Sequence, residues 1–239
     1  MMTTVEGTNT MKLSKQTFAI LKSMAGINSN IHVLPGNELV CVNAGKSIMF
    51  NAKVEENFAT EFAIWDLNQF LGTYSLFNDP TVDFGSTSLR IESGRQSCEY
   101  NYADPRLVEG CRPPSKLSLP EIKVTFDLSQ QEINDLLRAS AVMQLPDIMF
   151  TNDEDKVKVV VFDKEKANST NKYEIEVTPN DMESSASFKI YMKSDLLKIL
   201  PGDYEFNLCE KLAILLKHKD IDANYTLAVT SDSVYNGMF

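Results

Sequence analysis

The chain has 239 residues, 43% of them hydrophobic, with 33 acids against 23 lysines and arginines and a formal net charge of −10. That length suits one large domain or two of about 120 residues, and no run approaches the roughly 18 to 20 apolar residues of a membrane span. The acidic balance argues against a protein that holds nucleic acid by affinity, but not against one that encloses it and needs only a locally non-repulsive inner surface.

Residues 1–10 (MMTTVEGTNT) have neither the basic nor the apolar region of a signal peptide. They read as a disordered extension, with structure beginning at Met11. Leu13-Ser-Lys-Gln-Thr-Phe-Ala-Ile-Leu-Lys-Ser-Met24 then predicts an amphipathic helix opened by Ser14, a good N-cap. At about 100° per residue, Leu13, Thr17, Ile20, Leu21 and Met24 share one face. Lys15 and Lys22 lie within roughly 20° of each other on the opposite face, with Ala19 between them. From Lys12 to Ile27 there are three lysines and no acid, a basic stripe on an acidic chain.

Short apolar runs follow at Ile31–Leu34, Leu39–Val42 and Ser47–Phe50, punctuated by Pro, Gly and Asn, and read as antiparallel strands. Phe58–Trp65 alternates and leads into a second helix, Asp66–Tyr74. Leu67, Phe70, Leu71 and Tyr74 form its buried face, and Asn68, Gln69, Gly72 and Thr73 leave the other face uncharged. Strands are expected at Thr81–Phe84, Ser88–Glu92 and Gln96–Asn101. The stretch from Tyr102 to Leu119 carries three prolines and little periodicity, as a linker does. The boundaries are therefore placed at residues 11–103 for the first domain, 104–118 for the linker and 119–239 for the second domain.

The second half repeats the grammar of the first. Glu121–Phe126 alternates, and Leu128-Ser-Gln-Gln echoes Leu13-Ser-Lys-Gln. Ser129 and Glu132 have capping-box spacing at the head of a helix to Val142, whose Ile133, Leu136, Leu137 and Ser140 share a face while Gln131 and Arg138 point the other way. Strands at Asp147–Thr151, Lys156–Phe162, Lys172–Val177 and Ser187–Tyr191 precede a fourth helix, Ser194–Leu200, stopped by Pro201-Gly202. Tyr204–Leu208, Leu212–Leu216 and Tyr225–Val229 complete the sheet. The architecture is α+β: two tandem domains, each with two helices packed on antiparallel sheet.

Catalytic chemistry has no foothold in the sequence. The two histidines, His32 and His218, sit in no metal-ligand or triad context, and there is no glycine-rich phosphate loop. Asn152-Asp-Glu-Asp155 lacks the glycine and bidentate glutamate of a calcium loop and reads as a solvated hairpin turn. Cysteines at 41, 98, 111 and 209 show no metal spacing and read as reduced thiols. No enzyme activity, metal or cofactor is expected.

Met11-Lys-Leu-Ser-Lys15, Ala25-Gly-Ile-Asn-Ser29 and Ala63-Ile-Trp-Asp-Leu-Asn-Gln-Phe-Leu-Gly72, with Leu136-Leu-Arg-Ala139, Pro201-Gly-Asp-Tyr204 and Ala223-Asn-Tyr225, resemble the sliding clamps of T-even-type tailed phages, the DNA polymerase processivity factors. The resemblance runs from Met11 to near the C-terminus and is weakest in the linker and at residues 150–185. It implies two processivity-fold (DNA-clamp) domains per chain in a head-to-tail homotrimer, a closed ring with twelve helices lining the hole. Duplex DNA, encircled without sequence preference, the replicative polymerase and a clamp-loader ATPase are the implied partners, in the cytoplasm of an infected bacterium. It places Lys15, Lys22 and Arg138 toward DNA, with Lys12, Lys193 and Lys198 as secondary candidates. Short apolar partner tails would dock on the outer face, with Tyr235, Met238 and Phe239 at the chain end as candidates for that contact. The alternative is a non-catalytic trimeric phage structural protein of tail or baseplate.

Overall fold

The computed structural model describes residues 10–108, 121–166, 171–183, 186–210 and 213–236. Its internal contacts divide the chain into two units, residues 1–44 with 51–114 and residues 45–50 with 115–239.

The first unit runs β1 (Thr10–Met11), α1 (Lys15–Ile27), β2 (Ile31–Val33), β3 (Gly36–Val42), β4 (Ile48–Phe58), β5 (Phe62–Ile64), α2 (Leu67–Tyr74), β6 (Thr81–Phe84), β7 (Ser88–Ser93) and β8 (Gln96–Asn101). One sheet has the order β1-β6-β7-β8, β2 pairs with β5, and β3 lies beside β4. Strand period sets the burial: along β4, Ala52, Val54, Glu56 and Phe58 point inward and Lys53, Glu55 and Asn57 outward. The helices bury their apolar stripes, Ile20, Leu21 and Met24 from α1 and Leu67, Phe70 and Leu71 from α2, each side chain contributing about 1.5–3 kcal/mol. Phe58, Phe62 and Phe84 cluster with ring centroids 5.1 to 5.6 Å apart, and Phe18 of α1 meets Tyr74 of α2 at 5.4 Å.

Two boundaries differ from the sequence expectation. Thr10 is not part of a disordered extension: it opens β1, pairs with Asp83 and donates its hydroxyl to the Asp83 carboxylate, because β6 offers its free edge there. Residues 1–9 lie outside the described set. At the other end, Asp104 caps a 3-10 turn at Pro105–Leu107, and Val108 is buried with Ala63 and Ala103. The start of the expected linker is thus packed onto the first unit, while residues 109–118 lie outside the described set.

The second unit runs β9 (Ile122–Leu128), α3 (Gln130–Met143), β10 (Asp147–Asp153), β11 (Lys156–Phe162), β12 (Tyr173–Val177), β13 (Asp181–Met182), β14 (Phe188–Lys193), β15 (Tyr204–Cys209), β16 (Ala213–His218), β17 (Ala223–Ala228) and β18 (Val234–Tyr235). One sheet has the order β12-β11-β10-β14-β18, and the other β13-β9-β15-β16-β17 followed by β4, whose residues 48–50 fall in this unit. Phe50 stacks on Tyr225 with centroids 4.1 Å apart. Phe126, Phe150 and Phe206 form the centre of the core at 5.4 to 6.1 Å.

The expected fourth helix is only a 3-10 turn, Ser194–Leu197. Its N-cap residue Lys193 offers no side-chain cap, and Pro201 disfavours helical backbone in the residue before it. The chain at Leu200 turns instead to two tyrosines: its N–H donates to the Tyr225 hydroxyl at 2.9 Å and its carbonyl accepts the Tyr204 hydroxyl at 2.7 Å. The described residues therefore hold one α-helix in this unit, not two.

Candidate nucleic-acid interface

The lysine-bearing helix is built from both ends. Ser14 Oγ accepts the N–H of Thr17 at 3.1 Å, as an N-cap should. At the other end the Asn28 N–H donates to the Met24 carbonyl at 2.9 Å, and the Asn28 amide reaches the Val42 carbonyl at 2.9 Å. A further residue, invisible to helix periodicity, completes the start. Glu56, 8% exposed, projects from β4 and accepts the backbone N–H of Ser14 and the hydroxyl of Thr17. The positive end of the helix dipole stabilises that carboxylate. The only sequence signal for it was an acid on the inward phase of an alternating strand.

With α1 fixed this way, Lys15, Ala19 and Lys22 are all exposed on one face. Among the described residues neither lysine makes an ion pair. The other expected cations behave differently. Lys12 pairs with Asp79, and Lys198 with Asp195 at 2.6 Å. Lys193 reaches Asp147 at 2.6 Å; that hydrogen bond raises the lysine pKa, and the Asp147 side chain is 4% exposed. Lys193 therefore satisfies a buried carboxylate and is committed to the fold.

Helix α2 starts at Asp66, whose carboxylate accepts the Gln69 N–H at 2.8 Å, and it exposes Asn68, Gln69 and Gly72, so its polar face is uncharged as expected. Helix α3 carries the full capping box: Ser129 Oγ accepts the Glu132 N–H at 3.3 Å and Glu132 accepts the Ser129 N–H at 2.7 Å. Asp203 adds an acceptor for the Gln130 N–H at 2.7 Å. On its outer face Arg138 lies 3.9 Å from Asp135.

Of the candidates for partner contact, Tyr235 lies in β18 and stacks on Phe188 at 6.0 Å, with its hydroxyl buried and without a hydrogen-bond partner among the described residues. Met238 and Phe239 lie outside the described residues. A surface the sequence did not single out is a concavity of about 470 Å³ beside β8, lined by Trp65, Gln69, Thr73, Cys98, Tyr100 and Tyr102 among others. Trp65 is 58% exposed there. Burial pushes the Tyr102 phenol up to about 12.

Helices that bury apolar stripes on antiparallel sheets, with a basic face on α1 whose two lysines make no ion pair among the described residues, have the architecture of the DNA-clamp fold. The solved structure of PCNA from A. fulgidus, bound to the C-terminal region of FEN-1, superposes with a TM-score of 0.69 at 12% identity, covering 93% of this chain and 98% of that one. Residues 125–231 match the family described as gp45 sliding clamp, C terminal. The sliding clamp of Enterobacteria phage T4 is 28% identical over 229 residues, 95% of this chain and all of that protein. That of Vibrio phage KVP40 is 27% identical over 203 residues, 83% of this chain and 90% of its relative. Over most of its length the chain is thus similar to the DNA sliding clamps of T-even-type phages.

Proposed function

We propose that the chain acts without catalysis, closing as a head-to-tail homotrimer around duplex DNA and tethering the replicative polymerase after a clamp-loader ATPase has placed it there. The work would be done in the cytoplasm of an infected bacterium. The observation that carries this reading is α1: two exposed lysines, without an ion-pair partner among the described residues, on a helix held from behind by Glu56, in a chain of net charge −10. Such a face contacts phosphates without reading bases. Loose contact is what sliding requires, and global repulsion keeps the protein from sticking.

Two of the strands that end sheets among the described residues support the assembly. β8 and β12 each end a sheet, with six and five residues respectively, and an unpaired edge is a template for another chain. A head-to-tail contact joins two different surfaces of one subunit and closes when the rotation allows. The solved clamp bound to a partner's C-terminal region supports docking of polymerase and loader by short terminal segments.

Native mass spectrometry across micromolar concentrations tests the assembly. A trimer is expected, and monomers or dimers alone at every concentration would count against it.

A further inference from the structure

The two long helices that open on the repeated Leu-Ser-x-Gln motif carry faces of the same spacing and different charge, the α3 face set one residue later in the motif's register. On α1 the exposed positions i, i+4 and i+7 are Lys15, Ala19 and Lys22. On α3 the same spacing gives Gln131, Asp135 and Arg138. There the middle residue is an acid engaged from both sides: the Gln131 amide donates to its two oxygens at 3.0 and 3.1 Å, and Arg138 Nη1 stands 3.9 Å from it. The residue between the two cations on the α1 face is an alanine, and neither lysine makes an ion pair among the described residues; the middle residue of the α3 face is a carboxylate that offsets the helix's one cation. At 3.9 Å the pair lies well inside a Debye length of roughly 8 Å, so a phosphate outside it meets a neutral dipole.

We propose that Asp135 is a built-in counter-charge that holds the α3 face neutral, so that the grip on DNA is graded, strong at the first-domain helix and damped at the second. This rests on the reading of α1 as phosphate-facing. Asp135 acts through Arg138 and is in that sense a positioning residue. It sets how many cations each subunit offers to the backbone, and hence how strongly the clamp drags on DNA as it slides.

The experiment is a reciprocal exchange in the full chain, Asp135→Ala and Ala19→Asp, with Asp135→Asn as a variant that keeps an acceptor for Gln131 and loses the charge. Binding to a short, blunt-ended, fluorescent duplex, onto which a ring threads from the ends, is followed by anisotropy over a range of potassium chloride. Asp135→Ala and Asp135→Asn should both tighten binding at low salt. They should steepen the plot of log affinity against log salt by up to about 0.9 for each arginine that reaches a phosphate. Ala19→Asp should flatten it. A purely structural role for Asp135 would move the melting temperature and leave the slope alone. Lys15→Ala with Lys22→Ala separates the two readings. If that pair flattens the slope while the Asp135 variants leave it unchanged, the counter-charge is overturned and the α1 reading stands. If the lysine pair changes nothing, the α1 reading itself falls, and this inference with it.

Discussion

The Glu56 carboxylate accepts the hydroxyl of Thr17 and, with its other oxygen, the backbone N–H of Ser14, so one strand of the sheet holds the first turn of the lysine-bearing helix. Thr17 is fully buried, and Thr17→Val keeps its shape while removing the donor. The carboxylate is then left short of a partner in a dry site, which should cost about 1–3 kcal/mol. Urea denaturation measures it; a midpoint within error of wild type would show that water enters and replaces the hydroxyl.

Gly202 has φ +153°, and a Cβ built on it would stand 2.1 Å from His218 Nε2. The imidazole cannot step aside freely. Its Nε2–H donates to the Pro201 carbonyl and its Nδ1 accepts the Asp220 N–H, both at 3.1 Å, and its edge meets Tyr204 at 5.0 Å. Gly202→Ala should therefore lose about 1–3 kcal/mol through overpacking, and adding His218→Ala should recover much of it. No recovery in the double variant would place the strain in the backbone alone.

Much of this was legible in the sequence, and the parts that were not share a cause. Ser14 and Ser129 were readable as caps because capping is local, settled within three residues of chain; Asp66, read as the first helical residue, is in fact the cap of α2. The alternation that gave β9 and the stripes that gave α1 and α3 are likewise local. Glu56 was not readable as a helix anchor, since its partner lies 39 residues away and only the folded sheet brings them together. Residues 194–200 read as a helix because their composition suits one, and Tyr204 and Tyr225 overrode it from outside. For the cations, the sequence told which faces they occupy and not which acids claim them. Lys193 shares its face of β14 with nothing that announces Asp147 on β10.

That commitment gives the third prediction. Lys193→Ala should destabilise the protein by about 1–2 kcal/mol, because among the described residues the buried Asp147 then keeps only the Lys164 N–H, at 3.0 Å. Lys15→Ala, at an exposed unpaired site, should stay within about 0.5 kcal/mol of wild type. Thermal melts of the two variants side by side check it, and equal losses would contradict the distinction drawn between these lysines.

Tyr102 gives a pH signature. Its hydroxyl is buried with no hydrogen-bond partner among the described residues, and burial raises its pKa to about 12, above the ordinary value near 10. The fold thus favours the neutral phenol. The contribution is fully present below about pH 10 and is lost as pH rises from there through about 12. Tyr102→Phe removes an unsatisfied polar atom, so at neutral pH it should be neutral or slightly stabilising. Between pH 10 and 12 the variant should lose less melting temperature than wild type. Parallel losses across that window would mean that the phenol is solvated.

The central claim is that the protein holds DNA by enclosing it. With the proposed clamp-loader ATPase and ATP, the labelled protein is loaded onto a primed circular duplex, the loader is removed by salt, and the circle is then cut once with a restriction enzyme. Retention is followed by gel filtration before and after the cut. The account predicts stable co-elution with the closed circle at a salt concentration that screens Lys15 and Lys22, and release once an end is opened. Equal retention on circular and linear DNA, or loss from both as salt rises, would show binding by affinity and contradict it.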